Sequence, residues 1–213
     1  MFVDELEAFK ADRLTAITRA GELSLAAEPA GDPTSMLKIA LANEISVSEL
    51  AAAWVPTTRE VDVKIAFARQ TGDEAGHFQL VAQRLAALGF DTAAFEPPAD
   101  NPLFAYLKTL TSTVERVAAG LFTLESIAYA VNEQFMALCE RRGDAETVRI
   151  YREYIQPDER AHQRLGHELL ARYAITAEQQ TLAHTAVARV IDIAGETRRK
   201  AAERIGAACF PGC

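Results

Sequence analysis

Cysteine is scarce in this chain: there are three in 213 residues, and Cys139, Cys209 and Cys213 show none of the paired spacing of a thiolate metal site. Free reduced thiols are expected, with a small redox loop in the tail Cys-Phe-Pro-Gly-Cys as the alternative. No apolar run reaches 18 residues, which excludes a helical membrane span. The segment Met1-Phe2-Val3-Asp4-Glu5-Leu6-Glu7 is acidic and lacks the basic and apolar regions of a secretory signal, so a cytoplasmic location is expected. Positive charge is also in deficit. Lys and Arg total 22 against 30 Asp and Glu, a net charge of -8 that argues against nucleic acid or an anionic membrane as a partner. The short basic run Arg198-Arg199-Lys200 reads as a solvated helix face. No flavin or nicotinamide fingerprint is present.

Few Pro or Gly interrupt the long periodic stretches. With 49% apolar residues and Ala-rich segments, the chain is expected to be all-helical and to form one domain over 1–213. A leader helix is expected at about 3–23, carrying Phe2, Leu6, Phe9, Leu14 and Ile17 near one face and lying outside a four-helix core. That core spans about 34–173. Asp32-Pro33 starts its first helix, which Pro56 should stop; Thr57 with Glu60 then reads as a capping box for a second helix ending before Gly89. The stretch from Gly89 to Asn101, with Pro97-Pro98, is long enough to run the length of a bundle, so it predicts a long crossover between the second and third helices. Asn101-Pro102 starts the third helix, Gly143 ends it, and Asp144 opens the fourth. Thr176 with Gln179 caps a fifth helix at about 177–207.

Asp-Glu-x-x-His occurs twice, as Asp73-Glu74-Ala75-Gly76-His77 and Asp158-Glu159-Arg160-Ala161-His162. With 20 Glu and 10 Asp in the chain, that pair at this offset from a given His has a chance of roughly one in two hundred. Two occurrences among four His are therefore hard to ascribe to accident. On a helix, i and i+3 lie one turn apart, so each Glu–His pair can grip one ion. A lone Glu in an apolar stretch precedes each motif: Glu44 lies 30 residues before Glu74, and Glu125 lies 34 before Glu159. The chain thus reads as a diverged duplication of a helical hairpin, each hairpin carrying half a site. Carboxylates at core positions cost several kcal/mol unless paired or bound to metal. Four carboxylates and two imidazoles suit paired iron or manganese better than structural zinc.

The expected metal ligands are Glu44, Glu74 and His77 for one ion and Glu125, Glu159 and His162 for the other, with Glu74 and Glu159 bridging and central to catalysis. Asp73 and Asp158 are expected to hold the imidazoles from behind. Glu49 and Glu133 are the rival carboxylates, set back because Glu49 lies about six residues from the end of its helix while Glu74 lies some sixteen into the next. Tyr129 and Tyr154 are near enough in sequence to reach the site, whereas His167 and His184 lack a Glu partner and read as structural. Gly72, Gly76, Gly120 and Gly166 provide either close helix packing or space beside the metals. Pro157 should kink or bulge the fourth helix at the ligand level.

These half-sites resemble the ferritin-like di-iron carboxylate superfamily over about 34–173, which includes ferritins, rubrerythrins, ribonucleotide reductase small subunits and bacterial multicomponent monooxygenases. Within it, Asp73-Glu74-Ala75-Gly76-His77 and His162-Gln163-Arg164-Leu165-Gly166 resemble the catalytic subunit of phenylacetyl-coenzyme A epoxidase. The resemblance implies a ferritin-like four-helix bundle, two iron ions (or manganese), and activation of dioxygen or peroxide to oxidise an organic substrate. Ferroxidase, peroxide-handling or iron-storage activity is the alternative. A homodimer and a separate reductase as electron donor are the expected partners.

Overall fold

The computed structural model describes residues 1–28, 31–96 and 101–212. Among these, regular structure is helical throughout: α1 Phe2–Ala26, α2 Pro33–Thr57, α3 Val61–Ala87, α4 Pro102–Leu107, α5 Thr113–Val117, α6 Glu125–Arg141, α7 Ala145–Ile150, α8 Gln156–Tyr173 and α9 Ala177–Ile205. A π segment, Ala118–Leu124, fuses α5 to α6, and a second, Tyr151–Ile155, fuses α7 to α8. No described helix is long and apolar enough to cross a membrane.

Side-chain contacts give the helix directions. Ser48 bonds the Thr71 carbonyl and Trp54 meets the Phe67 ring, so partners on α3 fall as those on α2 rise, and the pair is antiparallel. The same holds between α6 and α8, where Asn132 meets Gln156 and the Glu125 carbonyl meets Gln163. Two hairpins carry the doubled motif.

Caps set several boundaries where expected. Asp32 accepts from the Ser35 amide with Pro33 behind it, and Thr176 with Gln179 forms a complete capping box. Gly89 and Gly143 take the left-handed backbone (φ 87° and 72°) that lets the chain leave a helix without a Cβ clash.

Elsewhere tertiary partners overrule local signals. Pro56 sits inside the last turn of α2 rather than stopping it, and Thr57 caps nothing; its hydroxyl and that of Thr58 bond back to the Trp54 carbonyl. The helix begun at Asn101-Pro102 ends at Leu107, and a new one starts from a capping box of Ser112 and Glu115 that the linear reading missed. Pro97, Pro98 and Cys213, to which the crossover and tail readings appealed, lie outside the described residues.

The first helix does not stand apart from the core. Val3, Leu6 and Leu14 of α1 bury into the same apolar cluster as Leu121 and Phe122, and α9 adds Val187 and Val190. Lys10 of α1, only 3% exposed, donates to the Phe122 carbonyl at 3.0 Å and to Ser126 Oγ at 2.8 Å, with its ammonium over the Phe122 ring. A buried cation here answers a backbone need: the wide π turn leaves carbonyls poorly matched to helical donors, and Lys10 supplies one.

Candidate metal centre

Glu44 of α2, Glu74 and His77 of α3, Glu125 at the start of α6, and Glu159 and His162 of α8 converge in the interior, each no more than 5% exposed. Their ligand atoms form two overlapping groups, Glu44, Glu74, His77, Glu159 and Glu74, Glu125, Glu159, His162, within 4.8 Å in each group, and either group could hold a metal ion. Glu74 and Glu159 belong to both. His77 Nδ1 lies 3.5 Å from Glu44 and 3.4 Å from Glu74, and His162 Nδ1 lies 3.5 Å from Glu74 and 3.9 Å from Glu125. These separations are too long for good hydrogen bonds and leave both Nδ1 atoms without a partner, as are Glu74 Oε1 and Glu159 Oε2. Buried polar atoms are ordinarily satisfied; of the eight among the described residues that are not, four gather in this one cluster of carboxylate and imidazole donors and fit a cation.

The outer nitrogens are satisfied crosswise. His77 Nε2 lies 3.2 Å from Asp158, and His162 Nε2 lies 3.0 Å from Asp73, so the Asp of each motif holds the His of the other. Because α3 and α8 run antiparallel side by side, an Asp four residues before its own His ends up level with the opposite one. With Nε2–H donating outward, each Nδ1 presents its lone pair to the cluster.

Electrostatics records the cost of gathering these groups in the interior. Burial and the neighbouring Glu125 charge push the Glu74 carboxyl up to about 8, and burial with Glu125 and Glu74 holds Glu159 well above the usual carboxylate range. Burial works against charge on His162, but Asp73, Glu125 and Glu74 outweigh it and raise the ring to about 9. His77 is raised well above the imidazole range in the same way, its burial outweighed by Asp158, Glu44 and Glu74. A metal ion bound here would compete with protons for these groups.

Gln70 donates to Glu125 Oε1, and Gln163 bonds the Glu125 carbonyl at 3.1 Å, fixing the residue that follows the first π segment. The rival carboxylates are elsewhere: Glu49 and Glu133 are exposed, and Glu133 accepts from Gln156 at 2.6 Å. Tyr129 accepts from Arg160 and Tyr154 from Arg149 at the surface. His184 stacks on Phe9, and His167 lies 3.8 Å from Asp4, both away from the cluster.

Tyr151 is the tyrosine that linear reading missed. It is fully buried, its hydroxyl has no hydrogen-bond partner, and burial together with Glu44, Cys139 and Glu159 raises it well above the usual phenol range. On an uninterrupted α-helix, eight residues before Glu159 falls well round from its face. The π segment Tyr151–Ile155 absorbs about one residue and brings Tyr151 round to the Glu159 side. Pro157 was the signal, since a residue without an N–H just beyond the segment favours such a bulge.

The glycines divide by role. A Cβ on Gly166 would lie 2.6 Å from the Phe122 amide nitrogen, and one on Gly120 3.0 Å from Trp54, so these two permit close packing. At Gly72 and Gly76 a Cβ would meet nothing within 4 Å. They line a groove of about 530 Å³ between α3 and α8, together with Asp73, His77, Glu153 and Asp158.

Residues 39–201 match the family model described as "Protein of unknown function (DUF455)". No curated protein matches the chain. Among solved structures, the chain is similar to a domain of unknown function with a heme oxygenase-like fold from Shewanella denitrificans OS217: TM-score 0.71, 14% identity, 97% of this chain and 96% of that one. At that identity the likeness establishes the fold, a heme oxygenase-like helical bundle, consistent with the ferritin-like architecture expected from the two hairpins.

Proposed function

We propose that this chain, which belongs to the DUF455 family, is a non-haem di-iron or di-manganese oxidoreductase that activates dioxygen or peroxide to oxidise an organic substrate. The observation that carries this reading is the pair of overlapping ligand groups sharing Glu74 and Glu159, with unpartnered Nδ1 and carboxylate oxygens turned inward. Glu44, Glu74 and His77 would hold one ion, Glu125, Glu159 and His162 the other. Two ferrous ions in this setting would supply electrons to the oxidant and oxidising power toward the substrate.

The chain's own groups serve that chemistry in distinct ways. Asp158 and Asp73 keep each imidazole with Nε2–H outward and Nδ1 free to ligate. Glu74 and Glu159 belong to both groups and would be shared between two ions held there. The deep burial of all six residues keeps bulk water from the reacting groups. Tyr151 offers the cluster a buried hydroxyl that no protein atom occupies. Electrons would come from a separate reductase, and the chain would act as a homodimer. A coenzyme A ester is a poor candidate for a substrate arriving by the groove beside His77: its phosphates would meet Asp73, Glu153 and Asp158 and no Lys or Arg in the walls.

The test is metal analysis of the purified protein beside Glu74→Ala and Glu159→Ala. The parent should carry two ions per chain and the variants should lose them; variants that keep two would overturn the assignment. Oxygen uptake by a small, fixed oligomer only when reductant and substrate are both present would support the oxidoreductase. A many-subunit cage that mineralises iron would instead establish the storage alternative.

A further inference from the structure

The six cluster residues are at most 5% exposed, so an ion must reach them through some opening. Two cavities on the molecule differ in what they touch. The larger, about 830 Å³, lies against α2 and α9, is edged by charges of both signs (Lys38, Arg189, Arg204, Asp192 and Glu196 among them), and has none of the six residues in its wall. The smaller groove between α3 and α8 has His77 as a wall. Its other charged residues are Asp73, Asp158 and Glu153, which are 42%, 46% and 56% exposed at the side chain, and it contains no Lys or Arg.

Resting on the metal-centre reading above, we propose that this groove is the route by which divalent cations load the centre, with Asp158 and Asp73 as their first stops. His77 is the partition: its Nε2 faces Asp158 at the groove and its Nδ1 faces Glu44 and Glu74 inside, so a cation held by Asp158 is one imidazole ring from the cluster. Gly72 and Gly76 keep the way open. They are one helical turn apart, their missing side chains border empty space, and no packing contact accounts for either glycine. Arg149 holds Glu153 from outside at 3.2 Å, while Asp158 and Asp73 pair with the imidazoles of His77 and His162. A cleft lined by one sign of charge concentrates the opposite ion and speeds its capture.

The experiment is stopped-flow loading of the metal-stripped protein with Co(II), followed by the visible absorption of the bound ion, with final stoichiometry measured at equilibrium. Gly76→Leu and Gly72→Leu, which fill the groove, should slow loading about tenfold while two ions are still bound at the end. Ala201→Leu, which fills the larger cavity, should load at the parent rate. If a leucine variant fails to fold, Gly76→Ala and Gly72→Ala give a graded obstruction, and Glu153→Gln with a salt titration of the parent reads the charge contribution: loading should slow in both. Parent-like rates in the groove variants, or loading indifferent to salt and to Glu153, would overturn the route while leaving the centre intact. A parent chain that binds no Co(II), Fe(II) or Mn(II) would overturn the metal-centre reading and the route with it.

Discussion

Asp73 and Asp158 look redundant in the linear sequence, two acids each beside a Glu and four residues before a His. In the folded chain they exchange histidines across α3 and α8. That exchange makes a specific prediction. Asp73→Asn should weaken the half-site containing His162, and Asp158→Asn the half containing His77, each lowering metal affinity roughly 10- to 100-fold because the imidazole loses the partner that fixes its tautomer. Calorimetric titration with Mn(II), combined with NMR of the histidine ring protons in the metal-free state, checks it. If Asp73→Asn perturbs the His77 ring and spares His162, the crossed assignment is wrong. The six residues that converge were legible in the sequence, Glu74 with His77 and Glu159 with His162 from i, i+3 spacing within one helix, and Glu44 and Glu125 from their matching distances upstream. The crossing was not, since it depends on which helix lies beside which.

At the level of elements, the two π segments account for much that linear patterns missed. Ala118–Leu124 ends where Glu125 begins, and Tyr151–Ile155 lies just ahead of Glu159, so each ligand on the second hairpin follows a widened turn. An insertion of this kind turns the residues upstream of it round the helix axis, so Tyr151, at the start of the second segment, comes to the Glu159 side, which counting along an uninterrupted helix does not show. Pro157 announced one segment. Nothing comparable announces the other, which is held by Lys10 and by the closeness of α8 at Gly166. Gly166→Ala would push a Cβ into the backbone of Leu121 and Phe122 and should destabilise the protein by about 1 to 3 kcal/mol. By contrast, Gly76→Ala should be neutral or stabilising by up to about 1 kcal/mol, since its side chain meets open space and alanine is the better helix former. Urea denaturation of the two variants separates these roles, and equal effects would contradict the division of the glycines.

On the scale of the whole molecule, α1 and α9 complete the core that the two hairpins begin, with α1 running parallel to α6 through the contacts of Lys10 with Ser126, Thr18 with Gln134 and Leu25 with Arg141. The buried cluster also ties global stability to pH. Glu74 is raised from 4.5 to about 8, so between those values the folded chain keeps a proton that the unfolded chain has lost, and stability falls as pH rises. His162, raised from 6.5 to about 9, has the same sign: its contribution is complete below 6.5 and disappears as pH rises through 9. The melting temperature of metal-stripped protein should therefore decline between about pH 5 and about pH 9, whereas added Mn(II) should restore most at the alkaline end, where fewer protons must be displaced. Thermal melts across that range with and without the ion test both signs; a rise in stability with pH in the stripped protein would contradict them.

The sequence alone determined the helical class, the two hairpins and the six converging carboxylate and imidazole residues, because these follow from periodicity, caps and spacing along the two hairpins. Tertiary structure decided which histidine each aspartate holds, which tyrosine faces the carboxylates, which glycines pack and which leave space, and whether the first helix belongs to the core. Those outcomes depend on the rotation and depth of one helix against another, and the π segments and buried contacts that set them have their partners far apart in the chain.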